Sequence, residues 1–191
     1  MKLAPKGRFK IKQNITFQLR GKDGKVKPIF SPNKLFSKLI ESGILSPKAW
    51  KVPMIFGSWK DSLTVSNLVV NAGKAGVASR LNGAGAEAVF TYIALGTGVV
   101  AAAAGDTTLG TEITTGGGAR ASAAASRVTT DVTNDTARLV NTFNFTATFA
   151  VTESGVLNAG AAGTLLSRQV FAAINVNNGD SLQVTWDHDI D

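Results

Sequence analysis

Cysteine is absent from these 191 residues, which excludes disulfides and thiolate chemistry. There is one histidine, His188, so a zinc site needing several histidines is excluded, and any histidine-dependent triad must use that residue. No apolar run reaches about 18 residues, so no membrane-spanning helix is expected. The lysine-bearing start has no apolar stretch of the secretory-signal kind. Charge is also scarce, at 17% of residues. Much of the surface must therefore be Thr, Ser, Asn, Ala and Gly, which packs against neighbours with little desolvation of charge.

The apolar content of 44% is enough for a real core, and the length suits one moderate domain or one domain with an appendage. The net charge of +7 is unevenly placed. Residues 1–60 hold 14 Lys or Arg against Asp23 and Glu41, whereas residues 61–191 hold 6 basic and 11 acidic residues. Such a basic region faces an acidic protein or a nucleic acid, or is simply a solvated surface. Lys10, Lys12, Arg20, Lys22, Lys25 and Lys27 are its contact candidates. Phosphate binding needs such charges but gives no specificity, and no nucleic-acid-binding motif accompanies them.

Residues 8–20 alternate, with Phe9, Ile11, Ile15, Phe17 and Leu19 on one parity. That predicts a strand with one wet face, turned by Gly21–Gly24 into a second strand at Lys25–Phe30. Asn33 then caps a short helix with Leu35, Phe36, Leu39 and Ile40 as its apolar stripe, ended by Gly43. Residues 44–60 are irregular and aromatic. Phe36, Trp50 and Trp59 are the aromatic contact candidates, the plainer reading being closure of a small core.

Residues 62–70 read as one strand, Asn71–Leu81 as a short helix, and Glu87–Leu95 as a strand ended by Gly96-Thr97-Gly98. Gly and Ala in that helix predict close approach to a sheet. Asp106 is expected to cap a helical turn carrying Leu109 and Ile113. Residues 114–126 read as a flexible excursion or a tightly packed arm. Ala137–Ala150 alternates with Phe143, Phe145 and Phe149 on one parity, predicting one long strand. Thr152–Gly163 reads as a turn region and Leu165–Ile174 as the returning strand. Asn177–Asp180 is a reversal. In the last strand Leu182, Val184, Trp186, His188 and Ile190 share a face. Repeated strands and turns predict a mainly β fold: an antiparallel β-sandwich over residues 61–191, with short helices. Residues 1–60 form the N-terminal hairpin and docking element. The expected core includes Phe90, Ile93, Leu95, Phe143, Phe145, Phe149, Leu165, Val170, Phe171, Val184 and Trp186.

The residues that invite chemistry are few. Asp187 and Asp189 share a strand face and His188 points away, so the three cannot converge without a bulge. With Asp191 they make a weak cation site at most, or an acidic inter-subunit edge. Glu153 is isolated, suited to binding turn amides, and lacks the second carboxylate of a general-acid pair. Ser154 lacks a sequence-defined base. Gly96-Thr97-Gly98 fits neither a phosphate loop nor a dinucleotide fingerprint. No catalytic, cofactor or metal residue is assigned, and no enzymatic activity is expected.

Four blocks stand out together: NLVVNAGKAGVASRL at Asn67–Leu81, YIALGTG at Tyr92–Gly98, GDTTLGTEI at Gly105–Ile113, and TESG through VTWDHDI at Thr152–Ile190. In order and spacing, Ser66–Ile190 resembles a group of tailed-bacteriophage virion structural proteins of the tail, tail-fibre or baseplate-associated type. The resemblance implies a compact β domain in which Thr152–Asn158 is a buried turn, a structural role, and virion partners in a homo-oligomeric assembly. It leaves the position open among tail, neck, baseplate and capsid surface. It also leaves a receptor- or glycan-binding module and a DNA-proximal connector as alternatives. In that group a short N-terminal strand leads quickly into the first block. Here Ser31–Ser62 intervenes, and it reads as a partner-specific docking insertion.

Overall fold

Strand β1 (Ile11–Arg20) is the first element of a computed structural model that describes residues 11–48 and 56–191. Lys10 and Trp50, two of the candidate contacts, lie outside the described residues, as does Phe9. The described chain is mainly β, with antiparallel sheets and two short helices. Along β1, Ile15, Phe17 and Leu19 are buried while Lys12, Asn14 and Arg20 are exposed, the period-two pattern of a strand with one wet face. The following strands are β2 (Val26–Lys27) and β3 (Ile29–Pro32). Helix α1 (Lys34–Glu41) comes next, with the Asn33 side chain accepting from the Phe36 N–H at 2.9 Å. Then come β4 (Gly57–Lys60), β5 (Leu63–Ser66), β6 (Leu68–Val69), α2 (Asn71–Asn82) and β7 (Tyr92–Gly96). The rest is strand: β8 (Ala121–Ser122), β9 (Ala124–Val128), β10 (Thr136–Asn144), β11 (Phe149–Leu157), β12 (Leu165–Val176) and β13 (Ser181–Ile190).

One sheet runs β2-β1-β13-β10-β9, with β5 also on the β2 edge of β1. The second runs β6-β12-β11-β7-β8, and β3 pairs with β4 in a separate ribbon. Both large sheets feed one hydrophobic cluster. Phe17 of β1 meets Phe171 of β12 with ring centroids 4.4 Å apart. Trp186 of β13, fully buried, donates its indole N–H to Ser154 Oγ of β11 at 3.2 Å. Burying each such aromatic contributes about 2–3 kcal/mol. Strand β12 is buried almost end to end because α1 packs on Val170 and Ala172, away from that cluster, while α2 lies against it near Leu166 and brings Val77 to the cluster itself.

Helix α2 lies close on β12 because Gly73 lets it. A Cβ there would stand 2.0 Å from the Leu166 carbonyl oxygen. Gly73→Ala is expected to push the helix off the sheet and lower stability by about 2 kcal/mol, read as a shifted urea midpoint. An unchanged midpoint would mean the approach is looser than drawn.

Several expectations are corrected. The strand expected over Ala137–Ala150 ends at Asn144, and β11 starts at Phe149. The alternation of Phe and Thr simply continues through the turn, where Phe145 and Phe149 pack at 5.9 Å. Thr152–Leu157 is not a turn but the buried heart of β11; the reversal lies beyond it, where Ala162 and Gly163 have positive φ. Glu153, Ser154 and Gly155 look turn-like only because their partners are distant in sequence. The strand expected at 62–70 is split, β5 joining one sheet and β6 the other. The strand expected from Glu87 begins only at Tyr92. The second arm of the hairpin is two residues long, because Ile29–Pro32 leaves to pair with β4. Leu35, placed in the α1 stripe, is 68% exposed; the inward residues are Phe36 and Ile40. No helical turn follows Asp106. Residues 114–126 are a packed arm carrying β8 and the start of β9, pinned by Arg120, whose guanidinium holds Glu112 at 2.6 and 2.8 Å and donates to the Ala159 and Ala162 carbonyls.

Candidate functional site

The basic N-terminal strand delivers its cations to different fates. Lys12 pairs with Asp191 at 2.7 Å, which raises its pKa. Lys27 pairs with the buried Asp180 at 2.7 Å. Lys25 lies 3.8 Å from Asp23, both solvent-exposed. Arg20 donates to Gln18 Oε1 and to the Gly24 carbonyl. Lys22 is exposed, its stem lying over Gly179 in the neighbouring turn. The most open cations are therefore Arg20, Lys22 and Lys25, gathered at the β1–β2 turn.

Of the aromatic candidates, Phe36 is interior. It packs with Phe30, Ile40, Val170 and Ala172 beneath α1. Trp59 is the opposite case, 56% exposed on β4 and held edge-on against Phe30 at 5.8 Å. Beside it is a cleft of about 100 Å³ lined by Leu19, Pro28, Ile29, Phe30, Ala173 and Asn175 among others. Because Leu19 directly precedes Arg20, the cleft adjoins the basic turn. The site is thus an exposed indole over a small apolar cleft, next to the exposed cations of the β1–β2 turn, and aromatics in such settings recur as anchors of macromolecular contacts.

The acids at the chain end do not converge. Arg138 grips Asp187 at 2.7 and 2.8 Å, and Asp189 faces Thr136. His188 points to the opposite face, buried and stacked on Trp186 at 5.8 Å. Burial holds its pKa down at about 4. Among the described residues no group of three or more His, Cys, Asp and Glu is placed to hold a metal ion.

The most ordered polar cluster was only half legible. Glu153 is wholly buried and accepts the N–H groups of Gly98, Gly110 and Thr111 at 3.0, 2.9 and 2.6 Å. Arg168, also buried, reaches the same carboxylate at 2.8 Å through Nε and 2.7 Å through Nη2. Arg168 also binds Asp106 at 2.7 Å and the Val100 carbonyl at 3.0 Å. Gly96 and Gly98 are glycines for want of space: a Cβ at either would lie within 2.4 Å of Glu153 Oε1. Four hydrogen bonds and the Nη2 contact engage both oxygens of the carboxylate. Glu153 binds amides, as its isolation in the sequence suggests. Sequence reasoning misses Arg168, whose one signal is a charge set among apolar neighbours in LLSRQVF, and assigns Asp106 only to a helix cap. The last three sequence blocks meet at this cluster, and the first reaches β12 through Gly73. No family model, curated protein or solved structure matches the chain.

Proposed function

We propose that this chain is a non-enzymatic structural subunit of a tailed-bacteriophage virion. It is read as an antiparallel β-sandwich that joins the tail, neck, baseplate or capsid surface through protein contacts. Trp59 carries the docking part of this reading: a large aromatic, over half exposed, on a ribbon set apart from both sheets. The meeting of separated sequence blocks around Glu153 supports treating them as one folding unit. A DNA-proximal role is less favoured, because Lys12 and Lys27 are already held by Asp191 and Asp180.

Cryo-electron microscopy of the intact particle, with and without Trp59→Ala, tests the proposal. Trp59 is over half exposed, so losing its edge contact with Phe30 should lower stability by about 1 kcal/mol and leave the chain folded. As an interface anchor worth about 2 kcal/mol, its loss should lower incorporation roughly 30-fold. Normal incorporation would refute docking through Trp59, and absence of the parent chain from the particle would refute the virion reading. Removing residues 31–60 is a poorer test, since it uncovers Val170 and Ala172 beneath α1.

A further inference from the structure

A groove opens where the first sheet parts from α2. Ile11, Gln13, His188 and Ile190 line one side, with Val77 and Phe90 opposite, around a volume of about 230 Å³. A second hollow of about 370 Å³ adjoins it through Ile11 and Val77 and extends past Lys74 and Ala78 to Leu81. Leu81 and Val89 stand on the rims, 76% and 52% exposed.

Three features indicate what this groove takes. The first is an open strand edge. β5 covers Asn14–Phe17 of β1 and β2 covers Leu19–Arg20, but Ile11–Gln13 have no ladder partner on that edge among the described residues. The second is a pair of buried polar side chains facing each other in register. Gln13 and His188 are 5% and 6% exposed, and Nε2 of each has no hydrogen-bond partner among the described residues. Gln13 Oε1 is already used by Asn67 Nδ2, so exchanging the ends of that amide moves the orphan without removing it. An amide and a neutral imidazole side by side offer a donor and an acceptor, and a peptide group carries one of each. The third is charge. Lys74 lines the larger hollow and Arg80 the smaller, and among the described residues no carboxylate lines either. Residues 1–10 carry Lys2, Lys6, Arg8 and Lys10 without an acid, so their sign disfavours them as the occupant.

We propose that the groove receives an extended, apolar segment with an acidic flank, contributed by a different protein of the particle. The segment adds as a short strand beside Ile11–Gln13 and seats its side chains against Val77 and Leu81. The proposal rests on the virion reading above.

The test places a photo-crosslinking phenylalanine analogue at position 81, in place of Leu81, in assembled particles and identifies the product by mass spectrometry. The expected product joins α2 to one apolar, acid-flanked segment of another virion protein. Ala78→Trp, at an exposed helix position, fills the hollow and should cut the crosslink yield at least tenfold with the urea midpoint unchanged. A crosslink to residues 1–10 of the same chain, a crosslink to a second copy, or none to any polypeptide would overturn the groove proposal. Composition of the particles is read before irradiation. A chain missing there overturns the virion reading together with this one, whereas a chain present but uncrosslinked overturns the groove alone.

Discussion

Glu153→Ala should cost about 4 kcal/mol of stability, a large part of the total of a domain this size. The substitution removes the buried countercharge of Arg168, a residue 2% exposed, and leaves it with Asp106 alone among its carboxylate partners. Removing one partner of a buried ion pair costs about 3–5 kcal/mol, because the remaining charge keeps its desolvation penalty. It also strips the acceptor from the N–H groups of Gly98, Gly110 and Thr111. Each unsatisfied buried donor costs about 1–3 kcal/mol, less where water enters the vacated space. Against a typical total of about 5–15 kcal/mol, this threatens the native state itself.

A double-mutant cycle separates the ion pair from the amide cradle. Arg168→Leu alone leaves Glu153 with its three amide donors but no countercharge, and leaves Asp106 without its guanidinium. The pair Glu153→Ala with Arg168→Leu removes both members of the buried ion pair, so its cost should fall below the sum of the singles by more than about 1 kcal/mol. It should not return to the parent value, because the three amides remain unpaired. Urea melts of the four proteins decide the matter. A Glu153→Ala variant within about 1 kcal/mol of the parent would show that the cradle is wet or dispensable.

That cluster also marks the boundary of what one sequence discloses. Period-two patterning is local, so β1 and β13 could be read directly from Phe17, Leu19, Val184 and Trp186. Capping is local too, and Asn33 opens α1 as its residue type predicts. Glu153 failed as a strand residue because the donors that make it tolerable lie 42 to 55 positions away in sequence. The split at Asn67 is hidden for a related reason: Leu63–Val70 is mostly apolar and β-branched, and its change of allegiance shows only in its partners, β1 for β5 and β12 for β6. Surface sites are harder still. Phe36, in a predicted helical stripe, and Trp59, in an irregular segment, both stand as aromatic contact candidates in a basic region. One fills the space under α1 and the other faces solvent, a difference set by the ribbon that β3 makes with β4.

His188 should make stability depend on pH in a window where surface groups contribute little. Its pKa is about 4 in the folded chain, against an ordinary value of 6.5, mainly because burial disfavours the charged ring. The folded state therefore keeps the ring neutral while the unfolded chain takes up a proton below pH 6.5. More protons bound by the unfolded state means stability falls as the pH falls. The loss begins near pH 6.5, deepens toward pH 4, and levels off below it, where both states are charged. At about 1.4 kcal/mol per pKa unit the whole effect is roughly 3 kcal/mol. A hydrogen bond with the Ala137 backbone favours the charged ring but does not offset burial. Trp186 stacks on the ring, Gln13 faces it in register, and Arg80 lines the same groove. Asp187, the one nearby charge favouring the proton, is engaged by Arg138. Carboxylates elsewhere titrate toward the lower end of the window, so the comparison is with His188→Leu. Urea midpoints from pH 7.5 to 4.5 should fall for the parent and stay nearly level for the variant down to about pH 5. Parallel profiles would mean that the ring is already protonated in the fold or reaches water freely, and would remove the premise that His188 Nε2 awaits a partner.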